Sequence, residues 1–165
     1  MNEENASATA KPRLFINRRI YTDIESWEVL ELDEGKGTAT VVEVARDFKP
    51  QWVPGGFSAI CVNIAEQRNA PIVRKRGAEP FAVVLHRGVW GYWTDARLFG
   101  CLASSLSPEG IRKFRENPNA VFETDGDGRE TVSVYEFTKS GKRKRKFVKL
   151  GCIEPRCEQF HDFNF

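Results

Sequence analysis

One methionine and two histidines stand in 165 residues, and no glycine-rich repeat or long apolar run accompanies them. The scarcity of methionine leaves core filling to other apolar types. Twelve phenylalanines and four tryptophans within a 41% hydrophobic composition describe a globular chain with an aromatic core rather than a disordered one. His86 and His161, the only histidines, leave few partners for a nucleophile, and nothing in the spacing brings one to a base. No stretch approaches the about 18 consecutive apolar residues of a membrane span. Met1–Ala10 is polar and acidic, unlike an export signal, so a cytoplasmic protein with no membrane partner is expected. Internal repeats of the solenoid kind are absent, and the length suits one domain.

Cys61, Cys101, Cys152 and Cys157 lack a paired Cys-x-x-Cys knuckle. Cys152, Cys157 and His161 with one further cysteine could make a tetrahedral zinc site, but the spacing is loose. Reduced thiols that serve packing are the simpler reading for a chain without an export signal. Asp125-Gly126-Asp127-Gly128, with Glu136, invites comparison with a calcium loop. Glu130 occupies the position where that loop needs glycine, and the flanks alternate like strands, so a hairpin turn is expected instead. No metal or cofactor is assigned. Asp23, Asp47 and Asp95 are the acids on which a hydrolase would draw, with or without a metal; no pairing between them is visible, and a non-enzymatic role ranks ahead.

Residues 1–12 have no hydrophobic period and are read as a flexible tail, with a single β-rich domain over 13–165. Leu14–Ile16 and Ile20-Tyr21 read as short extended segments around a turn at Asn17–Arg19. Ser26–Leu32 and Thr38–Val44 flank the turn residues Asp33–Gly37 and predict a hairpin over 26–46. A second hairpin is predicted where His86-Arg87-Gly88 joins Phe81–Leu85 to Val89–Trp93. Phe57–Val62 fits either a buried strand or a short helix, and six residues cannot decide between them. Ser107-Pro108-Glu109, with Ile111 and Phe114, predicts one short helix near 108–116. Val121–Glu123, Thr131–Thr138 and Arg143–Leu150 then read as a three-stranded meander. The fold class is therefore α+β, mainly β: an antiparallel sheet built from hairpins, with one short helix.

The net charge of +2 conceals an asymmetry, because Lys139, Lys142, Arg143, Lys144, Arg145, Lys146 and Lys149 contribute seven positive charges, and without them the chain stands at −5. The run Lys142, Arg143, Lys144, Arg145, Lys146 must project to both faces of a strand. It reads either as a charged edge that blocks aggregation or as a phosphate contact of a nucleic-acid-binding hairpin over 139–149.

Trp52-Val53-Pro54-Gly55-Gly56-Phe57, followed by Cys61, Asn63 and Gln67, is the most distinctive constellation. Pro54, with Pro50 just before the stretch, and two adjacent glycines shape the backbone of this loop. The two amides that follow can each donate and accept. Trp52, Gly55, Gly56, Phe57, Asn63 and Gln67 are thus candidate ligand residues for a small polar molecule. The alternative is a loop whose amides satisfy buried backbone groups.

The stretch Val42–Phe57, with Cys61, Asn63 and Gln67, and the ending Phe160-His161-Asp162-Phe163-Asn164-Phe165 resemble a group of small bacteriophage and mobile-element proteins. Those pair a Gly-Gly-Phe, Cys, Asn, Gln segment with an aromatic-Asp-aromatic-Asn-Phe end. The resemblance covers about half of this chain and leaves 97–148, with the basic hairpin, as an extension. It implies a setting, a phage and the cytoplasm of its host, rather than a mechanism. The expected function is that of a non-enzymatic accessory protein, which binds a host or defence factor or a small polar ligand; nucleic-acid binding through the basic hairpin is the alternative.

Overall fold

β-Branched and aromatic residues bias most of the chain to extended backbone, and the computed structural model, which describes residues 10–164, is mainly antiparallel β with two α-helices. The described residues fall into two compact units: the chain up to Tyr92 together with Lys149 onward, and Trp93–Val148. The expected tail over 1–12 lies outside the described residues except for its last three positions, which carry no secondary structure.

The first unit begins with β1 (Phe15–Ile20), β2 (Asp23–Asp33) and β3 (Thr38–Arg46). β4 (Trp52–Gly55) and β5 (Ser58–Cys61) form a separate two-stranded hairpin. After them come α1 (Ile64–Asn69), β6 (Ile72–Arg74), β7 (Phe81–His86) and β8 (Val89–Asp95), whose residues from Trp93 on belong to the second unit. Within this unit the main sheet runs β8-β7-β3-β2-β1-β13, where β13 is Ile153–Glu154, and β6 also pairs β3. β3 is the central strand, bonded along one side to β2 and along the other to β7 and then β6. Ala39 and Val41 on one face, and Val42 and Val44 on the other, are all buried. The core gathers Ile16, Trp27, Val41, Val83, Trp90 and Leu150. Burying each valine there contributes about 1.5–3 kcal/mol.

The predicted hairpins over 26–46 and 81–93 are present as β2–β3 and β7–β8. The first strand differs from expectation. β1 is continuous through Asn17–Arg19, and the turn falls at Tyr21-Thr22, because Ile20 pairs directly with Asp23. Arg18 and Arg19 alternate faces within a strand and do not break it. Phe57–Val62 resolves as strand over β5, but not as a buried one: only Cys61 of the stretch is buried.

The second unit holds β9 (Arg97–Leu102), a 3₁₀ turn at Ala103–Ser105, α2 (Pro108–Glu116), β10 (Ala120–Thr124) and β11 (Glu130–Tyr135). α2 is the predicted helix: the Ser107 hydroxyl accepts from the Gly110 N–H at 3.1 Å, with Pro108 at the first position. Phe114 stacks on Phe99 with ring planes 4° apart, and Val132 is fully buried.

Two expectations are corrected. A second helix, α1, exists; its six residues supply too little apolar period to be seen, and tertiary hydrogen bonds to Gln67 support it. The three-stranded sheet has the order β10-β11-β9, so its third strand lies upstream of the helix. Arg143 joins no ladder of the meander, its backbone making only an isolated bridge to Phe137, and β12 (Arg145–Gly151) pairs β8 instead.

Candidate functional site

Gly55 pairs with Ser58, so Gly56 and Phe57 form a two-residue turn. Gly56 has φ +57°, whereas Phe57 is not among the residues with positive φ. That is the pattern of a type II′ turn, with glycine at its first central position. Gly55 is required for another reason: a Cβ built there would lie 2.1 Å from Ile60 Cδ1, so its absence lets Ile60 fold across the hairpin.

Strand alternation then sorts the side chains. Trp52, Pro54, Ala59 and Cys61 share one face; Val53, Ser58 and Ile60 share the other. Cys61 is buried, and the Trp52 ring meets Phe163 edge-on at 6.2 Å. Val53, Ile60 and Val62 stand 42–54% exposed, and Phe57 at the tip is fully exposed. The hairpin therefore presents apolar side chains to solvent. The depression beside it, about 330 Å³ and lined by residues 52–59, is open and shallow.

Asn63 and Gln67 sit at the foot of this hairpin. The Asn63 Oδ1 accepts from the Gln51 N–H at 2.8 Å while its Nδ2 donates to the Lys49 carbonyl at 3.3 Å, which closes the loop that leads into β4. Gln67 is 2% exposed. Its Nε2 donates to the His161 carbonyl and its Oε1 accepts from the His161 N–H, both at 3.1 Å, as a neighbouring strand would. The structure thus groups Trp52, Gly55, Gly56 and Phe57 on the hairpin, and gives both amides backbone partners beneath it.

The C-terminal segment after β13, marked in the sequence by the resemblance but absent from the candidate ligand residues, packs against this hairpin. The Ile24–Phe160 bridge holds it to β2, and Asn164 Oδ1 accepts from the Cys61 N–H at 2.7 Å. Asp23 accepts from the Asp162 N–H at 2.7 Å and faces His161 Nδ1 at 3.2 Å. Phe163 inserts between Phe48, Trp52 and His161 at 4.5–6.2 Å. Each contact joins residues about 100 or more apart in sequence, except those within the segment's own aromatic group. No local pattern announces such pairs. The signals available were the aromatic spacing of Phe160, His161 and Phe163 and the resemblance that pairs this ending with the Gly-Gly-Phe segment.

A groove of about 320 Å³ lies along this segment, lined among others by Asp23, Glu43, Gln67, Lys75 and His161. Asp23 is occupied as described, and Lys75 Nζ meets Glu43 at 2.6 Å. Asp95 pairs with Arg143 in the second unit, and Asp47 is exposed. The cysteines are free, and among the described residues no three His, Cys, Asp or Glu side chains gather as a metal site.

The basic run is divided. Arg143 lies 4.1 Å from the Tyr135 ring centroid, 3.2 Å from Asp95 and 3.5 Å from Glu123. The hydrogen bond to Asp95 raises its pKa further above the ordinary guanidinium value. Arg145 donates to the Trp93 carbonyl at 3.2 Å. Lys142, Lys144 and Lys146 remain exposed, the last beside a groove that also contains Asp95 and Tyr135.

No family model, curated protein or solved structure matches the chain. No described helix is long and apolar enough to cross a membrane.

Proposed function

We propose that this chain is a non-enzymatic binding protein that engages a protein partner through the β4–β5 hairpin, with Phe57 as the anchor. The carrying observation is the exposure of Val53, Phe57, Ile60 and Val62 on a hairpin of fixed geometry. Solvated aromatic and branched side chains grouped in this way favour burial in a partner's groove. Preorganisation supports the reading as well. The type II′ turn, the Asn63 bonds and the Cys61–Asn164 bond hold the loop before any partner arrives, which lowers the entropic cost of binding. In the phage setting that the sequence resemblance implies, the partner is a host or defence protein.

A photoreactive amino acid at position 57, used in host cells, tests this. The expected result is one dominant crosslinked protein which, once purified, binds the wild-type chain and binds F57S at least about tenfold more weakly, as for loss of a buried aromatic anchor. Equal affinity for the two proteins, or no crosslink above that from a surface control at Lys113, would remove the hairpin from the function.

A further inference from the structure

Beside β1 and α1 lies a second cavity of about 320 Å³ in which Arg19, Arg46, Arg68 and Arg156 face a single acid, Glu158. Four guanidinium groups against one carboxylate form a local excess that the chain's net charge of +2 does not foreshadow. These arginines lie 137 positions apart at the extremes, so no motif marks them.

The four play different parts. Arg46 builds the floor. It donates through Nε to the Gln159 carbonyl at 3.3 Å, through Nη1 to Ala70 at 3.0 Å and through Nη2 to Cys157 at 2.9 Å. Guanidinium carries five N–H donors, so two remain. Arg68, in the last turn of α1, lies over the Phe160 ring at 5.2 Å from its centroid, which holds the guanidinium plane in one place. Arg19 reaches Glu158 only at 3.6 Å, with both side chains exposed. Among the described residues, neither Arg68 nor Arg156 has a carboxylate within ion-pair reach.

An arginine surplus at a structural site would be neutralised by acids; here the acids are three short. Guanidinium forks suit oxygens of carboxylate and phosphate, and several converging forks suit a tetrahedral dianion best. The enclosed volume stands at the lower end for small-molecule sites. Arg68 covers one face of the Phe160 ring, which closes that face to base stacking. The geometry points to a binding site for a small phosphorylated molecule, whose phosphoryl group Arg68, Arg156 and the free donors of Arg46 receive. The site is separate from the hairpin and does not depend on the partner proposed for it.

Isothermal titration calorimetry at low and moderate salt would use inorganic phosphate, pyrophosphate, AMP and a short 5′-phosphorylated oligonucleotide. Saturable 1:1 binding of at least one of the three small anions is expected, weakening as salt rises. R68Q and R156Q should each lower that affinity by about tenfold, the effect of one charge-assisted contact. Both residues are exposed, so the variants should fold, and circular dichroism checks this. Absence of binding by all three small anions overturns the assignment, and so does binding of the oligonucleotide alone. Affinity unchanged in R68Q/R156Q, or lost instead in K142Q/K144Q/K146Q, overturns it equally.

Discussion

Gln67 ties α1 to the C-terminal segment. It is buried, and its amide answers both backbone groups of His161 across 94 residues of sequence. Gln67→Leu keeps most of the volume but leaves that N–H and carbonyl without partners. Because part of the His161 backbone can regain water, the expected loss is about 2–3 kcal/mol rather than two full desolvation penalties. Urea unfolding would read it as a lower midpoint at unchanged slope. A change below about 0.5 kcal/mol, the usual range of surface substitutions, would show that the segment is held elsewhere. Asp125 gives a pH-dependent counterpart in the second unit. Backbone hydrogen bonds from Arg129 and then Asp127, with the Arg129 side chain, lower its pKa below 3.8. A carboxyl depressed in the folded state stabilises above its unfolded pKa, and that contribution disappears as pH falls through the folded value. Asp125→Asn should therefore lower Tm at neutral pH, with the gap to wild type closing as pH drops below about 3.8. A gap independent of pH would show that the turn does not depend on the charge.

At the scale of elements, the two glycines of the β4–β5 turn separate steric from torsional demands. Gly55→Ala places a Cβ against Ile60, an overpacking cost of about 1–3 kcal/mol. Gly56→Ala meets no atom within 4 Å, yet must hold φ +57°, which costs about 1–2 kcal/mol. Ile60→Ala should rescue the first variant and leave the second unchanged. A double-mutant cycle with unfolding as readout checks this, and equal rescue of both would mean that the turn is not type II′. The same elements show where the sequence was readable. Hairpins β2–β3 and β7–β8 carry their turn residues between alternating runs, and α2 carries its own cap and proline, so local chemistry sufficed. α1 was hidden because its support comes from His161, and the third strand beside β11 because β9 lies upstream of α2. The Gly55-Gly56-Phe57 turn was legible from its glycines. The backbone commitments of Asn63 and Gln67 could not be chosen from an amide's identity, since the amide suits a ligand and a buried backbone equally.

For the whole molecule, the question is whether the first unit needs Trp93–Val148 in order to fold. Its buried core consists of Ile16, Trp27, Ala39, Val41, Val83, Trp90 and Leu150, with Val29, Leu32, Phe81, Tyr92 and Ile153 packed against it. None of these residues belongs to Trp93–Val148. The polar ties of the C-terminal segment, from Asn17, Asp23, Arg46 and Gln67, likewise stay within the first unit. Replacing Trp93–Val148 by a flexible Gly/Ser linker keeps every one of them and adds only the entropy of a closed loop, which grows slowly with length. The shortened chain should unfold cooperatively, with Trp27 and Trp90 still in a fixed environment by near-ultraviolet circular dichroism. It should also keep the hairpin crosslink at position 57 and the R68Q-sensitive phosphate binding. Loss of near-ultraviolet signal with far-ultraviolet signal retained would mean a molten state, and with it that the deleted ends of β8 and β12, Trp93–Asp95 and Arg145–Val148, are needed to order the sheet edge.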